Sequence, residues 1–270
     1  MDETTVNFRK SKGYVWVIAN MENVIYVYRP TRDADWLHEL LCGFKGVLIT
    51  DFYGAYDSIA CEQQKCLVHL IRDMNDDLLR NPIDQAFRSL VSQFGALLRI
   101  IVSTIDGHGL RQRYLHKHEA DVERFYRNLD DRAFASDLAG DYRGRLVRYR
   151  EKLFTFLRHD GVPWNNNNAE HAIKPFARYR SIADGVMSET RLRDYLVLLS
   201  LFQTCKYRGI SFLRFLLSRE RSLNHFHDSG RLVHKPIGLE LYPKGLSNFP
   251  QQGRSKKAKA VMDRPFFPHG

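Results

Sequence analysis

The sequence has few of the features that would place it outside the cell or in a membrane. It contains only four cysteines at irregular spacings, which is typical of reduced thiols and not of a disulfide framework. The first residues are acidic and lack the apolar segment of a signal peptide. No run approaches the roughly 20 apolar residues that cross a bilayer. These absences predict a cytoplasmic protein without a membrane partner.

The signatures of several enzyme classes are absent too. There is no serine or cysteine nucleophile motif, no glycine-rich phosphate loop and no internal repeat. Positive charge, in contrast, is abundant, since 41 lysines and arginines face 31 acidic residues and give a net charge of +10. A basic surface attracts polyanions and fits binding to a phosphate backbone. A soluble protein that is merely basic fits the charge equally well.

The first part of the chain has the pattern of a β-sheet. Aromatic and β-branched runs at 2–8, 14–19 and 24–28, separated by polar turns, predict a three-stranded antiparallel meander. After a short helix, the apolar run Val47–Thr50 is typical of a central strand that is covered on both faces. A further strand around 65–68 completes a predicted five-stranded mixed sheet, and a helix follows it.

Helical periodicity then replaces the strand signal. Apolar spacing predicts helices over 82–101, with Pro82 at the helix start, over 122–129 and, as one long helix, over 138–156. A last pair is predicted over 191–207 and 211–217, with a glycine between them. The fold class is therefore α/β with an all-helical insertion.

This pattern divides the chain into four parts. We predict a core whose first part is 1–80 and whose remainder is 161–220, with a helical insertion over 81–160 between them. Beyond these the periodicity fades, and 221–270 is predicted to be a basic, partly disordered tail.

Three acidic residues stand in contexts that suit metal-dependent chemistry. Asp2 lies on the first strand, Asp51 follows the run Val47–Thr50, and Glu170 follows an asparagine run. Asn168 is predicted to cap the helix, which would put Glu170 in its first turn, where the helix dipole favours a carboxylate. Carboxylates so placed can converge on two Mg²⁺ or Mn²⁺ ions, which support in-line displacement at a phosphodiester.

Each acid also has a plainer interpretation. An aspartate after a strand is usually a turn or cap residue. Four other aspartates compete for the role of the second acid: Asp57, Asp73, Asp76 and Asp77.

Cysteine and histidine residues offer a second candidate site. Cys66 and His69 form a Cys-x-x-His word, and Cys61 lies five residues earlier. A zinc site would need a fourth ligand, so we favour a buried structural pair with His69 close to the end of the sheet. Three histidines in a polar loop between helices are predicted to be exposed to solvent: His108, His116 and His118.

Basic residues are concentrated in and just beyond the helix that carries Glu170. Arginine and lysine beside a metal centre fit the positioning of phosphates, which fixes register without reading bases. A solvated helix face is an equal alternative for the last two members of the set, which comprises Lys174, Arg178, Arg180, Arg191 and Arg193.

The words around these residues carry a family resemblance. The Asp-x-Tyr-x-Ala-Tyr-Asp word at 51–57, the Cys-x-x-His word at 66–69 and the Asn-Asn-x-Ala-Glu word ending at Glu170 resemble those of insertion-sequence-66 family transposases. These are DDE enzymes with a ribonuclease-H-like catalytic fold, and the resemblance covers most of the chain.

The resemblance implies roles for particular residues. It makes Asp2, Asp51 and Glu170 the catalytic triad and the ligands of two Mg²⁺ or Mn²⁺ ions. It implies DNA cleavage and strand transfer on a ribonuclease-H-like sheet, with element ends and target DNA as partners. A homo-oligomer and companion accessory proteins stay open. The resemblance supports Lys174 and Arg180 as phosphate contacts, and with Arg178 from the same helix these are the DNA-binding candidates. The auxiliary candidates are Cys66, His69 and Asn167.

The sequence also departs from the family pattern. His171 stands where the family usually has arginine, the pair Tyr179-Arg180 replaces Arg-Lys, and Asp2 directly follows Met1. The last departure motivates the alternative of a truncated, inactive remnant that at most binds DNA. A structure-selective nuclease on the same fold is a third hypothesis.

Overall fold

The computed structural model describes residues 1–130, 136–183 and 185–226. It divides into two compact units, and each is described by itself. Unit 1 is discontinuous and combines 1–40 with 166–226, whereas unit 2 is the continuous segment 41–165. Most of the predicted tail, 227–270, lies outside the described residues, and the predicted boundaries of the four parts stay a prediction.

Among the described residues, all five strands lie before residue 66, and helices follow them. The strands are β1 (Asp2–Asn7), β2 (Lys12–Ala19), β3 (Val24–Arg29), β4 (Val47–Thr50) and β5 (Glu62–Lys65). The helices are α1 (Asp35–Leu40), α2 (Leu67–Arg80), α3 (Gln85–His108), α4 (Gln112–Leu115), α5 (Glu119–Asp130), α6 (Asp137–Arg148), α7 (Arg150–Leu153), α8 (Asn167–Ala183), α9 (Glu189–Arg208) and α10 (Phe212–Ser218). The mixed α/β class is confirmed.

The first three strands form the predicted antiparallel meander in unit 1. Their order is β1-β2-β3, and the register places Asp2 opposite Val17. Alternate residues point to one face, as the two-residue period of a strand requires. This face packs against α8 and α9 in a core that includes Val6, Val15, Val17, Val24, Phe176, Leu192 and Leu196.

Helix α9 covers the free edge of β3 with hydroxyl groups. The amide of Val24 donates to Thr204 Oγ1 at 3.1 Å, and the same hydroxyl donates back to the Val24 carbonyl. The amide of Tyr26 donates to Ser200 Oγ at 3.0 Å. These bonds satisfy edge groups that would otherwise be open to pairing with another strand.

Strands β4 and β5 form a parallel pair in unit 2, with Thr50 opposite Lys65. Together the described strands form a three-stranded and a two-stranded sheet, and their union in one five-stranded sheet stays a prediction. The predicted position of β5 at 65–68 is wrong, because Cys66 precedes α2, and Leu67 and Val68 are buried helical residues.

The β5 position was missed because its residues are polar and yet buried. Gln63 and Gln64 each place their side-chain amide on two backbone carbonyls. Gln64 Oε1 also accepts from the amide of Phe156 at 3.0 Å. The Gln64 amide is therefore satisfied at both ends, which lowers the cost of its burial, whereas Gln63 is satisfied at its Nε2 donor and its buried Oε1 has no hydrogen-bond partner among the described residues.

Two predicted helix boundaries in unit 2 are also wrong. α3 begins at Gln85, after the cap Asp84, whose carboxylate accepts from the amide of Phe87; Pro82 and the exposed Ile83 precede it. The predicted helix 138–156 is broken at Tyr149, which separates α6 from α7, and it ends in a 3-10 turn at Thr155–Arg158.

Helix α3 is the one described helix long and apolar enough, by length and composition alone, to cross a membrane. Half of its most apolar window is buried within the protein. Its buried residues belong to the core of unit 2, among them Phe87, Leu90, Phe94 and Ile101. This hydrophobicity therefore matches that of a helix in a protein core.

Candidate active site

Asp2 lies at the start of β1, where the strand is paired with β2. Its side chain is half-buried, and Oδ1 accepts from the amide of Glu3 at 2.9 Å. Met1 before it is buried, and the Met1 carbonyl accepts from Asn166 Nδ2 at 2.7 Å. The chain beside Asp2 is therefore held in place by a side chain that precedes α8.

Asn166 also connects to Glu170. The Asn166 carbonyl accepts from the amide of Glu170 at 3.0 Å, which is the first helical bond of α8. Glu170 lies in the first turn of α8, as predicted. The side chain and the carbonyl of buried Asn166 thus bring Asp2 and Glu170 to the same end of unit 1.

The prediction that Asn168 caps the helix is wrong by two positions. α8 begins at Asn167, so Asn166 precedes the helix and Asn168 lies inside it. The auxiliary candidate Asn167 is thus the first residue of α8. Asn168 instead holds two neighbouring elements. Its Nδ2 donates to the Asn20 carbonyl at 3.0 Å after β2, and its Oδ1 accepts from the Tyr207 hydroxyl at 2.9 Å in α9. The asparagine run predicted a cap but not its position, because several asparagines in the run compete for one cap.

The basic candidates of unit 1 fall into two groups. Lys174 and Arg178 are exposed on α8, four and eight residues after Glu170, and share its helix face. Arg180, in contrast, donates through one guanidinium nitrogen to Thr4 Oγ1 and the Thr5 carbonyl on β1, at 2.5 and 2.7 Å. The first pair is open to solvent, whereas the Arg180 contact fastens α8 to the sheet.

The two candidate arginines of α9, Arg191 and Arg193, are both exposed. Arg193 pairs with Glu189 at 2.7 Å and lies over the Tyr28 ring. The alternative of a solvated structural face therefore has support at Arg193.

Asp51 lies in unit 2, directly after the end of β4. Its Oδ1 accepts from the amide of Tyr53 at 2.9 Å, which closes a turn of the kind that aspartates often make after a strand. This turn fixes the orientation of the half-buried carboxylate. Turn formation and ligand binding are compatible, because a carboxylate has a second oxygen.

Asp57, a competitor for the second acid, has a structural role. Its carboxylate contacts Lys65 at 2.9 Å, Lys152 at 3.3 Å and Arg148 at 3.5 Å, and it accepts from the Tyr149 hydroxyl at 3.1 Å. Burial alone would raise the pKa of Asp57, but the hydrogen bonds and charges of Lys65 and Lys152 outweigh it and lower that pKa. Both oxygens of Asp57 serve to join the segment after β4 to the helices.

Lys65 is a residue of this region that the sequence patterns did not single out. Its side chain is completely buried at the end of β5, and Nζ also donates to Thr50 Oγ1 at 3.2 Å. Burial lowers the pKa of Lys65, while the carboxylates of Asp57 and, more weakly, Asp51 act in the opposite direction. A positive charge is thereby fixed behind the strand end that carries Asp51.

Cys66 and His69 lie together, also in unit 2. Cys66 is buried, its amide donates to the Thr50 carbonyl at 2.8 Å, and its Sγ lies within 4.8 Å of a His69 ring nitrogen. Cys61 does not join them among the described residues. Burial raises the pKa of the Cys61 thiol, which disfavours the thiolate that zinc requires. The arrangement fits the structural pair better than a zinc site.

One of the loop histidines contradicts the predicted exposure. His108 and His116 are exposed, but His118 is buried between two partners. Its Nε2 lies 2.8 Å from Thr104 Oγ1 and its Nδ1 lies 2.9 Å from Asp121 Oδ2. Polar sequence surroundings predicted exposure. The prediction failed because the two hydrogen-bond partners of His118 belong to separate helices, α3 and α5.

Comparison with known proteins gives the family. The family model described as "Transposase IS66 family" matches residues 1–193, a span that contains Asp2, Asp51 and Glu170. The chain therefore belongs to the IS66 family of transposases, and the resemblance predicted from its sequence words is confirmed.

Two curated relatives come from Sinorhizobium fredii. The uncharacterized protein y4qI is 28% identical over 249 residues, which cover 80% of this chain and 46% of that protein. The uncharacterized protein y4jO is 32% identical over 75 residues, which cover 28% of this chain and 23% of that protein. The chain thus spans less than half the length of these relatives. No solved structure matches the chain.

Proposed function

We propose that this chain is the catalytic core of a DDE-type transposase, which cleaves DNA strands and joins them to a target. The observation that carries the proposal is the tie made by Asn166, which brings Asp2 and the turn of Glu170 to one end of unit 1. The third acid, Asp51, stands at the carboxyl end of a parallel strand. The proposed assembly is a ribonuclease-H-like sheet that unites all five strands.

The donor set fits a hard divalent cation. Asp2, Asp51 and Glu170 offer carboxylate oxygens, which Mg²⁺ and Mn²⁺ prefer, and we propose that these three residues hold two such ions. When bound, the ions would supply activation of an attacking hydroxyl oxygen and stabilisation of the leaving oxygen.

The remaining residues of the proposed site bind and orient. Lys174 and Arg178 share the helix face of Glu170, and there they would position phosphates of the DNA backbone. The turn closed by Asp51 Oδ1 keeps that carboxylate in one orientation. Lys65 and Asp57 keep the end of the β4–β5 pair rigid. Attack by water and then by a DNA 3′-hydroxyl requires no covalent bond between the protein and DNA.

The test is cleavage of supercoiled plasmid by the full chain with Mg²⁺ or Mn²⁺. Asp51→Asn is the sharpest variant, because asparagine can still accept from the Tyr53 amide while the carboxylate charge is lost. We expect nicking to fall by more than about 100-fold, since even the partners of metal ligands are worth about 10–100-fold. Glu170→Gln should have the same effect.

The matched control is Asp141→Asn, which removes the same charge from an exposed position on α6 in the same unit. It should nick like the wild type. Nicking that persists in Asp51→Asn would refute the catalytic assignment. DNA binding without any nicking by the wild type would instead support the inactive remnant.

A further inference from the structure

The segment between α3 and α5 in unit 2 presents a cluster of exposed basic side chains. Arg111, Arg113, His116 and Lys117 are all exposed there. The first three line an open cavity of about 760 Å³, together with Gln112 and Asp160. The cavity is therefore bordered by two arginines, which attract anions, and by one carboxylate, that of Asp160.

These charges differ from others in unit 2 in lacking carboxylate partners. Within residues 1–130, 136–183 and 185–226, Arg111, Arg113 and Lys117 take part in no ion pair. Six arginines elsewhere in the unit do have a carboxylate within 4 Å: Arg80, Arg124, Arg145, Arg148, Arg150 and Arg158. The charge of the segment is thus available to an external anion.

Aromatic stacking orients one of these groups without neutralising it. The Arg113 guanidinium lies 4.6 Å from the centre of the Tyr114 ring, and His108 stacks on the same residue with its ring centre 4.2 Å away. Stacking of this kind leaves the donors at the rim of a guanidinium free to meet phosphate oxygens.

The backbone beneath the charges is fixed from both sides. The Gly161 amide donates to the Leu110 carbonyl at 2.8 Å, and Asp160 Oδ1 accepts from the amide of Gln112 at 2.8 Å. Leu115 is completely buried, and buried His118 is held by its two partners. A segment ordered in advance loses little conformational entropy when it binds.

We propose that residues 111–117 form a second DNA-binding surface, which holds the phosphate backbone of a duplex at a place separate in sequence from the acidic residues. This proposal rests on the proposed function, since it takes DNA as the partner. Arginine and lysine on an open surface suit a polyanion whose phosphates repeat along its length.

The experiment compares two triple variants of the full chain. Arg111→Ala/Arg113→Ala/Lys117→Ala removes the surface, and Arg80→Ala/Arg124→Ala/Arg158→Ala removes the same formal charge from ion-paired, exposed positions. Fluorescence anisotropy measures the affinity for a duplex oligonucleotide in EDTA at several salt concentrations. Circular dichroism checks that each variant is folded.

Affinity falls as salt rises, and each lost phosphate contact should make the slope of log affinity against log salt less steep by about 0.9. We expect the first variant to lose about 2 to 3 from the slope and the control variant less than about 1. Equal losses in the two variants would mean that only net charge matters and would overturn the proposal. A loss seen with a heparin fragment but not with duplex DNA would overturn it as well.

The two proposals fail in different ways. If the two triple variants bind DNA alike while nicking still depends on Asp51, the surface is wrong and the catalytic assignment stands. If nicking does not depend on Asp51 but the slopes differ as expected, the surface stands and the catalytic assignment is wrong.

Discussion

Lys65 is a completely buried cation whose closest carboxylate is shared with other cations. The Lys65–Asp57 contact of 2.9 Å joins a side chain with no exposure to one that is partly exposed. Removing one member of a buried ion pair leaves the other charge uncompensated. The two members should therefore differ in what their removal costs, because Asp57 keeps Lys152 and Arg148 as neighbours whereas Lys65 has no second direct carboxylate contact among the described ion pairs.

We expect Asp57→Asn to lower the free energy of unfolding by about 3 kcal/mol, because it leaves the Lys65 ammonium buried without its carboxylate. Lys65→Met should cost less than half as much. The double variant should be more stable than Asp57→Asn alone. Urea unfolding monitored by circular dichroism measures all three values. Additive losses from the two substitutions would show that the pair is not coupled.

The lowered pKa of Asp57 gives a dependence of stability on pH. Because the folded state favours the carboxylate, its contribution is fully present above the ordinary pKa near 3.8 and is lost as pH falls through the lower folded value. The difference in unfolding free energy between wild type and Asp57→Asn should therefore shrink below about pH 4. Urea unfolding at pH 7, 5, 4 and 3 measures it. A difference that stayed constant down to pH 3 would contradict the assigned shift.

Polar residues in buried positions mark the limit of prediction at this scale. Periodicity treats Gln63, Gln64 and Lys65 as surface residues, and it therefore moved β5 to the apolar residues after them. The Gln64 side chain finds a partner far along the chain, at Leu153, and Lys65 finds one across the strand pair, at Thr50. Local sequence carries no signal for partners of that kind.

At the scale of elements, Asn166 has the clearest measurable consequence. Asn166→Ala removes the hydrogen bond to the Met1 carbonyl and should cost about 1 kcal/mol of unfolding free energy. The substitution also loosens the attachment between the chain beside Asp2 and the start of α8. We therefore expect the loss of metal-dependent nicking, expressed as a free energy, to exceed this loss of unfolding free energy.

Thermal unfolding and plasmid nicking of the same preparations test this. The control is Asn128→Ala at an exposed position on α5, where alanine should leave stability unchanged or slightly increase it. If Asn166→Ala nicks DNA as fast as the wild type does, the hydrogen bond between Asn166 and Met1 has no effect on the site.

Element prediction succeeded where a single local rule decided the outcome. The β1–β3 meander follows from alternation and polar turns, and the first turn of α8 follows from the asparagine run. It failed at Tyr149, where apolar spacing continues through the break. There the Tyr149 hydroxyl is bound to Asp57, so a contact between distant residues coincides with the end of a helix that local preference would extend.

At the scale of the whole molecule, the sequence words identified the family better than the physical patterns did. Net charge permitted many partners, and each acid taken singly had a structural interpretation. Asp51 does form the turn that the plainer interpretation predicted, and Asp57 does serve as a structural anchor. The membership of the family rests on the match over residues 1–193, and the catalytic roles of the acids stay a prediction.

The division into units was beyond local patterns for a different reason. Unit 1 is built from two separated stretches of chain, and nothing in β1–β3 states that α8 and α9 will cover them. The helical periodicity of 81–160 suggested an insertion, whereas the continuous unit also contains β4, β5 and α2. Compactness is a property of contacts between distant residues, which periodicity does not measure.

The discontinuity of unit 1 has a consequence for its synthesis. The ribosome completes β1–β3 first, but the helices that cover the inner face of this sheet are made only after residues 41–165. At about 5–20 residues per second, the apolar face waits roughly 6 to 25 seconds for its covering. Unit 2 is one continuous segment, so all the residues of its core are present as soon as that segment has been synthesised. During that interval, Val15, Val17 and Tyr26 of the nascent chain are exposed to contact with other apolar surfaces.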